Sequence, residues 1–119
     1  MAAKLRNEYG KVRIENEVIA RIAGLAASDC YGIVGMAVKN MKDGFVQLLK
    51  LDSLTKGVKL TIKGGKLSID LHIIVEYGTN VSAIADTLIS NVKYHVQRAI
   101  GINVEQINIF VEGVRVDRG

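Results

Sequence analysis

The chain has 119 residues, 49% apolar and 24% charged, with a net charge of +4. That length fits one domain over residues 1–119, able to bury roughly two-thirds of the surface its unfolded form exposes, and the composition excludes disorder. No apolar run approaches the ~20 residues of a membrane helix, and the first eight residues lack the apolar block of a signal peptide.

The lysines and arginines are interleaved with twelve acids, so the positive balance reads as a solvated surface, and a nucleic acid partner is disfavoured. Four tyrosines, two phenylalanines and no tryptophan leave few residues on which bases could stack. One cysteine cannot close an internal disulfide, which suits a reducing cytoplasm. Proline is absent, so helix starts rely on polar caps.

In chain order, residues 9–14 have the pattern of a short strand, with Val12 and Ile14 inward. Asn16 is placed to cap a helix over residues 16–30. Val18, Ile22, Leu25 and Asp29 share one face of that helix, and Ile19 and Ala26 extend the same arc. Asp29 is then an acid on a core-facing stripe, at a helix end where the macrodipole disfavours negative charge. Its expected role is to clamp the backbone N–H groups of the glycine-punctuated run Asp29-Cys30-Tyr31-Gly32-Ile33-Val34-Gly35; direct binding is the alternative. Residues 32–38 read as a short strand or extended connector. Asn40 and Asp43 resemble a helix cap, and Met41, Phe45, Leu48 and Leu49 have helical spacing, predicting a short helix over 41–51.

The second half is more regular. Val58, Leu60 and Ile62 alternate with Lys59, Thr61 and Lys63, the pattern of a half-buried strand. Gly64-Gly65 supplies a two-residue hairpin turn. The returning strand puts Leu67, Ile69, Leu71, Ile73, Val75 and Tyr77 on one face, and Ser68, Asp70, His72, Ile74 and Glu76 on the other. A helix follows over 81–100, with Ile84, Ala85, Leu88, Ile89, Val92, Val96 and Ala99 as its buried arc, and Gly101 ends it in a left-handed C-cap. A last strand carries Ile107, Ile109 and Val111 inward and Gln106, Asn108, Phe110 and Glu112 outward.

The core order is helix-strand-strand-helix-strand. It predicts an α+β two-layer sandwich, a small, mainly antiparallel sheet with its helices on one face. The free face carries Lys59, Lys63, Asp70, His72 and Asn108 around two large apolar side chains, Ile74 and Phe110. Apolar residues amid charges on an open sheet face suit a partner-binding surface made of Ile74, Phe110, His72, Asp70 and Lys59. The competing reading is that the 41–51 helix or the N-terminal segment covers them.

Several motifs point beyond composition. They are Tyr9-Gly10-Lys11-Val12-Arg13-Ile14, Asn16-Glu17-Val18-Ile19-Ala20, and Asp29-Cys30-Tyr31-Gly32-Ile33-Val34-Gly35-Met36-Ala37. The second half adds Thr55-Lys56-Gly57-Val58, Ile74-Val75-Glu76-Tyr77-Gly78-Thr79-Asn80 and Val111-Glu112-Gly113-Val114-Arg115-Val116. With them the chain resembles the alkaline shock protein 23 family, bacterial general-stress and cell-envelope stress-response proteins, and within it the small YloU-like branch. The resemblance implies a non-enzymatic cytoplasmic protein that acts through another protein. A membrane anchor protein and a fatty acid kinase-like enzyme are the partners it suggests, with a link to fatty-acid and phospholipid metabolism. It is compatible with a homo-oligomer and with peripheral membrane association through a partner. It implies no catalytic residues and no cofactor.

The remaining chemistry is sparse. Cys30 at a helix end is more often a small buried hydrophobe than a reactive thiol. His72 reads as an ordinary exposed histidine and His95 as a partly buried one on the margin of the long helix. Asp29, Cys30 and the two histidines lack metal-ligand spacing, and no nucleophile elbow or carboxylate pair stands out. Gly78, Thr79 and Asn80 precede the long helix, where an anion could bind, although a plain cap accounts for the same residues. An alternative function is RNA binding on a KH-like fold, since Gly32-Ile33-Val34-Gly35 formally reads as GxxG; its apolar centre argues against that. A lipid carrier is a third option, which the sequence gives no cavity to support.

Overall fold

The computed structural model describes residues 2–7 and 10–116. Two strands, β1 (Ala2–Asn7) and β2 (Gly10–Glu15), pair antiparallel as a separate hairpin. β1 was not anticipated; Tyr9 and the side chain of Val12 lie outside the described residues. β2 runs straight into α1 (Asn16–Ser28). Asn16 is therefore the first helical residue and not the cap: Glu15 holds the cap position and makes no side-chain bond there.

The core sheet comprises β3 (Ile33–Lys39), β4 (Val46–Leu48), β5 (Val58–Lys63), β6 (Lys66–Glu76) and β7 (Val104–Arg115). The central strand β6 has eleven residues and two edges. One edge is shared, β5 pairing with its first half and β3 with its second, both antiparallel. The other edge is taken by β7, which runs parallel to β6 after the crossover helix α2 (Val81–Ile100). β4 extends the sheet beyond β3.

The inward face of β6 is Leu67, Ile69, Leu71, Ile73 and Val75, all fully buried against α1 and α2 in one continuous core. Both helices thus cover one face, the α+β two-layer sandwich that the alternation predicts. α2 behaves as its pattern requires: Ile84, Leu88, Val92, Val96 and Ile100 are buried, the Asn80 side chain accepts from Ala83 N–H, and Gly101 ends the helix at φ 70°. Ala99 and His95, placed in or beside the buried arc by sequence, are exposed.

Three expectations are corrected. The 41–51 segment is not a helix but a turn leading into β4. Asn40 Oδ1 accepts from Lys42 N–H, Asp43 Oδ1 accepts from Phe45 N–H, and Gly44 takes φ 75°, so the polar side chains that suggested a cap close a turn instead. The arc of α1 is rotated: Ile19, Ala20, Ala23, Gly24, Ala26 and Ala27 are buried while Val18 and Leu25 face solvent. Small residues win because α1 packs too closely for large ones; a Cβ on Gly24 would overlap Leu54 Cδ1. β6 ends at Glu76, which leaves Tyr77 exposed beyond the strand and outside the core.

Candidate functional site on the free face of the sheet

The registers bring the proposed partner-binding residues together. Asp70 lies opposite Lys59 on one side and Asn108 on the other, and His72 lies opposite Phe110. Alternation puts all five side chains on the face that no helix covers. Asn108 Nδ2 donates to Asp70 Oδ1 at 2.9 Å, and Gln106 Nε2 donates to Asn108 Oδ1 at 2.7 Å. The His72 and Phe110 rings stack with centroids 4.8 Å apart and planes at 14°. His72 Nδ1 stands 3.7 Å from Glu112 Oε1. Ile74 adjoins Gly113 and Val46, since a Cβ on Gly113 would meet Ile74 Cγ1 at 3.8 Å and Val46 Cγ1 at 4.0 Å.

Phe110 remains 43% exposed, whereas Ile74 is half-buried with Val46 of the 41–51 segment close by, so that segment lies over the Ile74 end of the patch and leaves the Phe110 end open. Where the N-terminal hairpin is described, β2 meets α1 and Ile14 packs on the core. His72, expected to be exposed, is half-buried by its stack on Phe110. The result is an interconnected cluster: the Phe110–His72 stack and Ile74 beside a hydrogen-bonded amide–carboxylate chain, Lys59 and Glu112. Fixed side chains lose little further entropy on binding, which favours specific contact. Glu112 is the member that sequence reasoning underused. It falls where the β6–β7 register shifts by one residue, a bulge that re-aims its carboxylate toward His72.

The loop-clamp residues are arranged differently from expectation. Asp29 is exposed, and among the described residues its carboxylate makes no hydrogen bond to the Gly32–Gly35 backbone. That backbone is already paired: Ile33 N–H donates to Cys30 O, and Gly32 O accepts from Glu76 N–H. The tie at this corner comes from Asn91, whose Nδ2 donates to Ala26 O at 3.0 Å and to Cys30 Sγ at 3.5 Å. Asn91 was missed; a polar residue beside the buried Leu88–Val92 arc was its only signal. Gly32 is buried in the turn that leads into β3 and Gly35 is buried within β3, so the formal GxxG is not an exposed nucleotide-clamping loop.

Tyr31, 88% exposed, overhangs a cavity of about 330 Å³ lined also by Gly78, Thr79, Asn80, Ala83 and Ile84. Two of the polar groups there serve the turn itself: Asn80 Oδ1 caps α2, and Thr79 Oγ1 donates to Glu76 O. Burial pushes the Cys30 thiol above its usual range, and the Asp29 charge adds to this while the Asn91 hydrogen bond opposes it. With the thiolate disfavoured, alkylation of Cys30 by iodoacetamide should be slower than that of glutathione at neutral pH. Its rate should go on rising at pH values where glutathione has levelled off; matching profiles would contradict the burial seen here.

Among the described residues no cluster of three or more metal-ligating side chains occurs, and no helix is long and apolar enough to cross a membrane. What the fold defines is a small two-layer α+β domain with its helices on one face of the sheet. The chain belongs to the alkaline shock protein 23 family, whose description is a cell envelope-related function; the family model matches residues 4–116. It is 49% identical to the Bacillus subtilis protein YloU over 98% of both chains. It is 31% identical to Bacillus subtilis YqhY over 91% of this chain and 79% of that one. A Streptococcus pyogenes protein named as a stress response regulator gls24 homolog is 28% identical over 89% of this chain, which covers 59% of the relative's length. No solved structure matches the chain.

Proposed function

We propose that this protein is a non-enzymatic, cytoplasmic contact module of the cell-envelope stress response, which works by presenting the free sheet face to another protein. The observation that carries the reading is the exposed Phe110, stacked on His72 beside the Asp70–Asn108 hydrogen bond and the half-buried Ile74, on a sheet face that no helix covers. Support for the biological setting comes from the family's cell envelope-related description and from the stress-regulator name of one relative. Association with a membrane would then come through the bound partner, a membrane anchor protein or a fatty acid kinase-like enzyme being the candidates.

The test is a crosslinking pull-down from the source cells with the wild-type chain and the double variant I74D/F110D. The wild type should capture a discrete partner, and the double variant should lose at least about tenfold in yield, as removal of central apolar anchors does. Circular dichroism and a thermal melt must show that the variant is folded. Undiminished capture by the folded variant would place the partner elsewhere.

A further inference from the structure

Charge is mixed along most of the chain, with one exception. Residues 39–66 hold seven of the ten lysines, two of the twelve acids and no arginine. Their local charge is +5, against +4 for the whole chain, so the remainder is slightly negative. All seven lysines are exposed. The fold keeps them on one side of the sheet: β3 and β5 share the edge of β6 that faces away from β7, and β4 extends beyond β3. A scatter in sequence thus becomes a lysine-rich surface.

The same segment holds bare apolar side chains. Met41 is 92% exposed and Phe45 75%, both on the turn between β3 and β4, and Leu51 is 72% exposed on the turn after β4. These turns already bond their own backbone. Asn40 N–H donates to Phe45 O and Gly44 N–H to Asn40 O, each at 2.8 Å, and Ser53 N–H donates to Lys50 O at 3.0 Å. Lys42 N–H and Phe45 N–H donate to the side chains of Asn40 and Asp43. Turns closed in this way can leave water at their tips without stripping those backbone groups of partners.

We infer that this surface docks on an anionic lipid bilayer, with Met41 and Phe45 entering the headgroup boundary and the surrounding lysines drawn to lipid phosphates. Lasting attachment to a bilayer takes apolar insertion and basic charge together, and this segment supplies both. Each lysine held close to anionic lipid strengthens partition by about fivefold, as long as salt does not screen it. Two observations select lipid over other polyanions. Nucleic acid readers use arginine forks and aromatic stacking, whereas residues 39–66 contain no arginine and a single aromatic side chain, Phe45. An acidic protein would require a continuous apolar seat; here the apolar side chains stand out from separate turns, which a fluid surface accommodates. This contact is direct, in addition to any made through a protein partner.

Vesicle co-sedimentation of the full chain tests this, with phosphatidylcholine alone and with phosphatidylcholine and phosphatidylglycerol at about two to one. The wild type should bind only the anionic vesicles and should be released by salt. M41S/F45S and K42Q/K50Q, all at exposed positions, should each stay folded by circular dichroism and bind at least about tenfold more weakly. K93Q/R98Q makes the same change of net charge on exposed α2 and should bind within about twofold of wild type. The chain has no tryptophan, so F45W is a single reporter; its emission should shift to the blue on anionic vesicles and be quenched by lipids brominated on the acyl chain. Equal binding to both vesicles, or to neither, overturns the inference. So does K93Q/R98Q weakening binding as much as K42Q/K50Q, or vesicle-bound F45W with unshifted emission. Duplex DNA that binds wild type and M41S/F45S alike, while vesicles bind neither, would assign the lysines to nucleic acid. These variants leave Ile74 and Phe110 intact, so the pull-down and the vesicle assay fail separately.

Discussion

Gly32→Ala is expected to destabilise the fold by about 2–5 kcal/mol. Two costs combine. Gly32 has φ 85°, a left-handed conformation that costs a residue with a Cβ about 1–2 kcal/mol. A Cβ there would also collide with Ile84 Cδ1 and press on Ile84 Cγ1 and Thr79 Cγ2, because the loop is seated directly on the first turns of α2. Gly64→Ala isolates the first cost, since Gly64 has φ 56° with nothing within 4 Å of the added carbon. It should lose only about 1–2 kcal/mol. Ile84→Val removes the colliding methyl, so G32A/I84V should be more stable than the sum of its single variants. Urea unfolding reads all four midpoints; equal losses for Gly32→Ala and Gly64→Ala would refute the seating of the loop. The consequence reaches the free face of the sheet, because Gly32 O accepts from Glu76 N–H and so registers β3 beside the half of β6 that carries Ile74.

Much of this architecture is legible in sequence where a single period dominates. Val58 to Lys63 and Leu67 to Val75 alternate without error about Gly64-Gly65, and α2 keeps a bulky residue at nearly every fourth position. The 41–51 segment misleads because Met41, Phe45 and Leu48 have helical spacing by accident; Met41 and Phe45 prove exposed, and the local bonds of Asn40 and Asp43 decide the turn. The free face divides the same way. Alternation alone collects Asp70, His72, Ile74 and Phe110 on one side of the sheet. It cannot show that Asn108 reaches Asp70 or that His72 stacks on Phe110, since both depend on a long-range parallel register with two bulges in it. The clamp on Asp29 fails for a related reason: rotating α1 by its small residues moves the acid off the core and hands the corner to Asn91 from another helix.

That rotation gives the second large prediction, a contrast between two leucines. Leu88 on α2 is fully buried at the centre of the core, and Leu88→Ala should cost about 2–5 kcal/mol through lost burial and the cavity left behind. Leu25 on α1 is 42% exposed, and Leu25→Ala should cost less than about 1 kcal/mol, since alanine is the better helix former and no cavity opens. Had the arc of Val18, Ile22 and Leu25 faced the core, as the size of its side chains suggests, the two losses would be alike. Urea midpoints therefore report the orientation of α1 directly, and comparable losses would mean that α1 is turned the other way. The converse substitution sharpens the test. Ala27 is fully buried, so Ala27→Leu should destabilise by about 1–3 kcal/mol through overpacking, although it adds apolar surface and retains a strong helix former. A helix that loses more by gaining an apolar side chain at Ala27 than by losing one at Leu25 is docked by closeness of approach. Gly24 against Leu54 is one place where that approach leaves no room for a methyl.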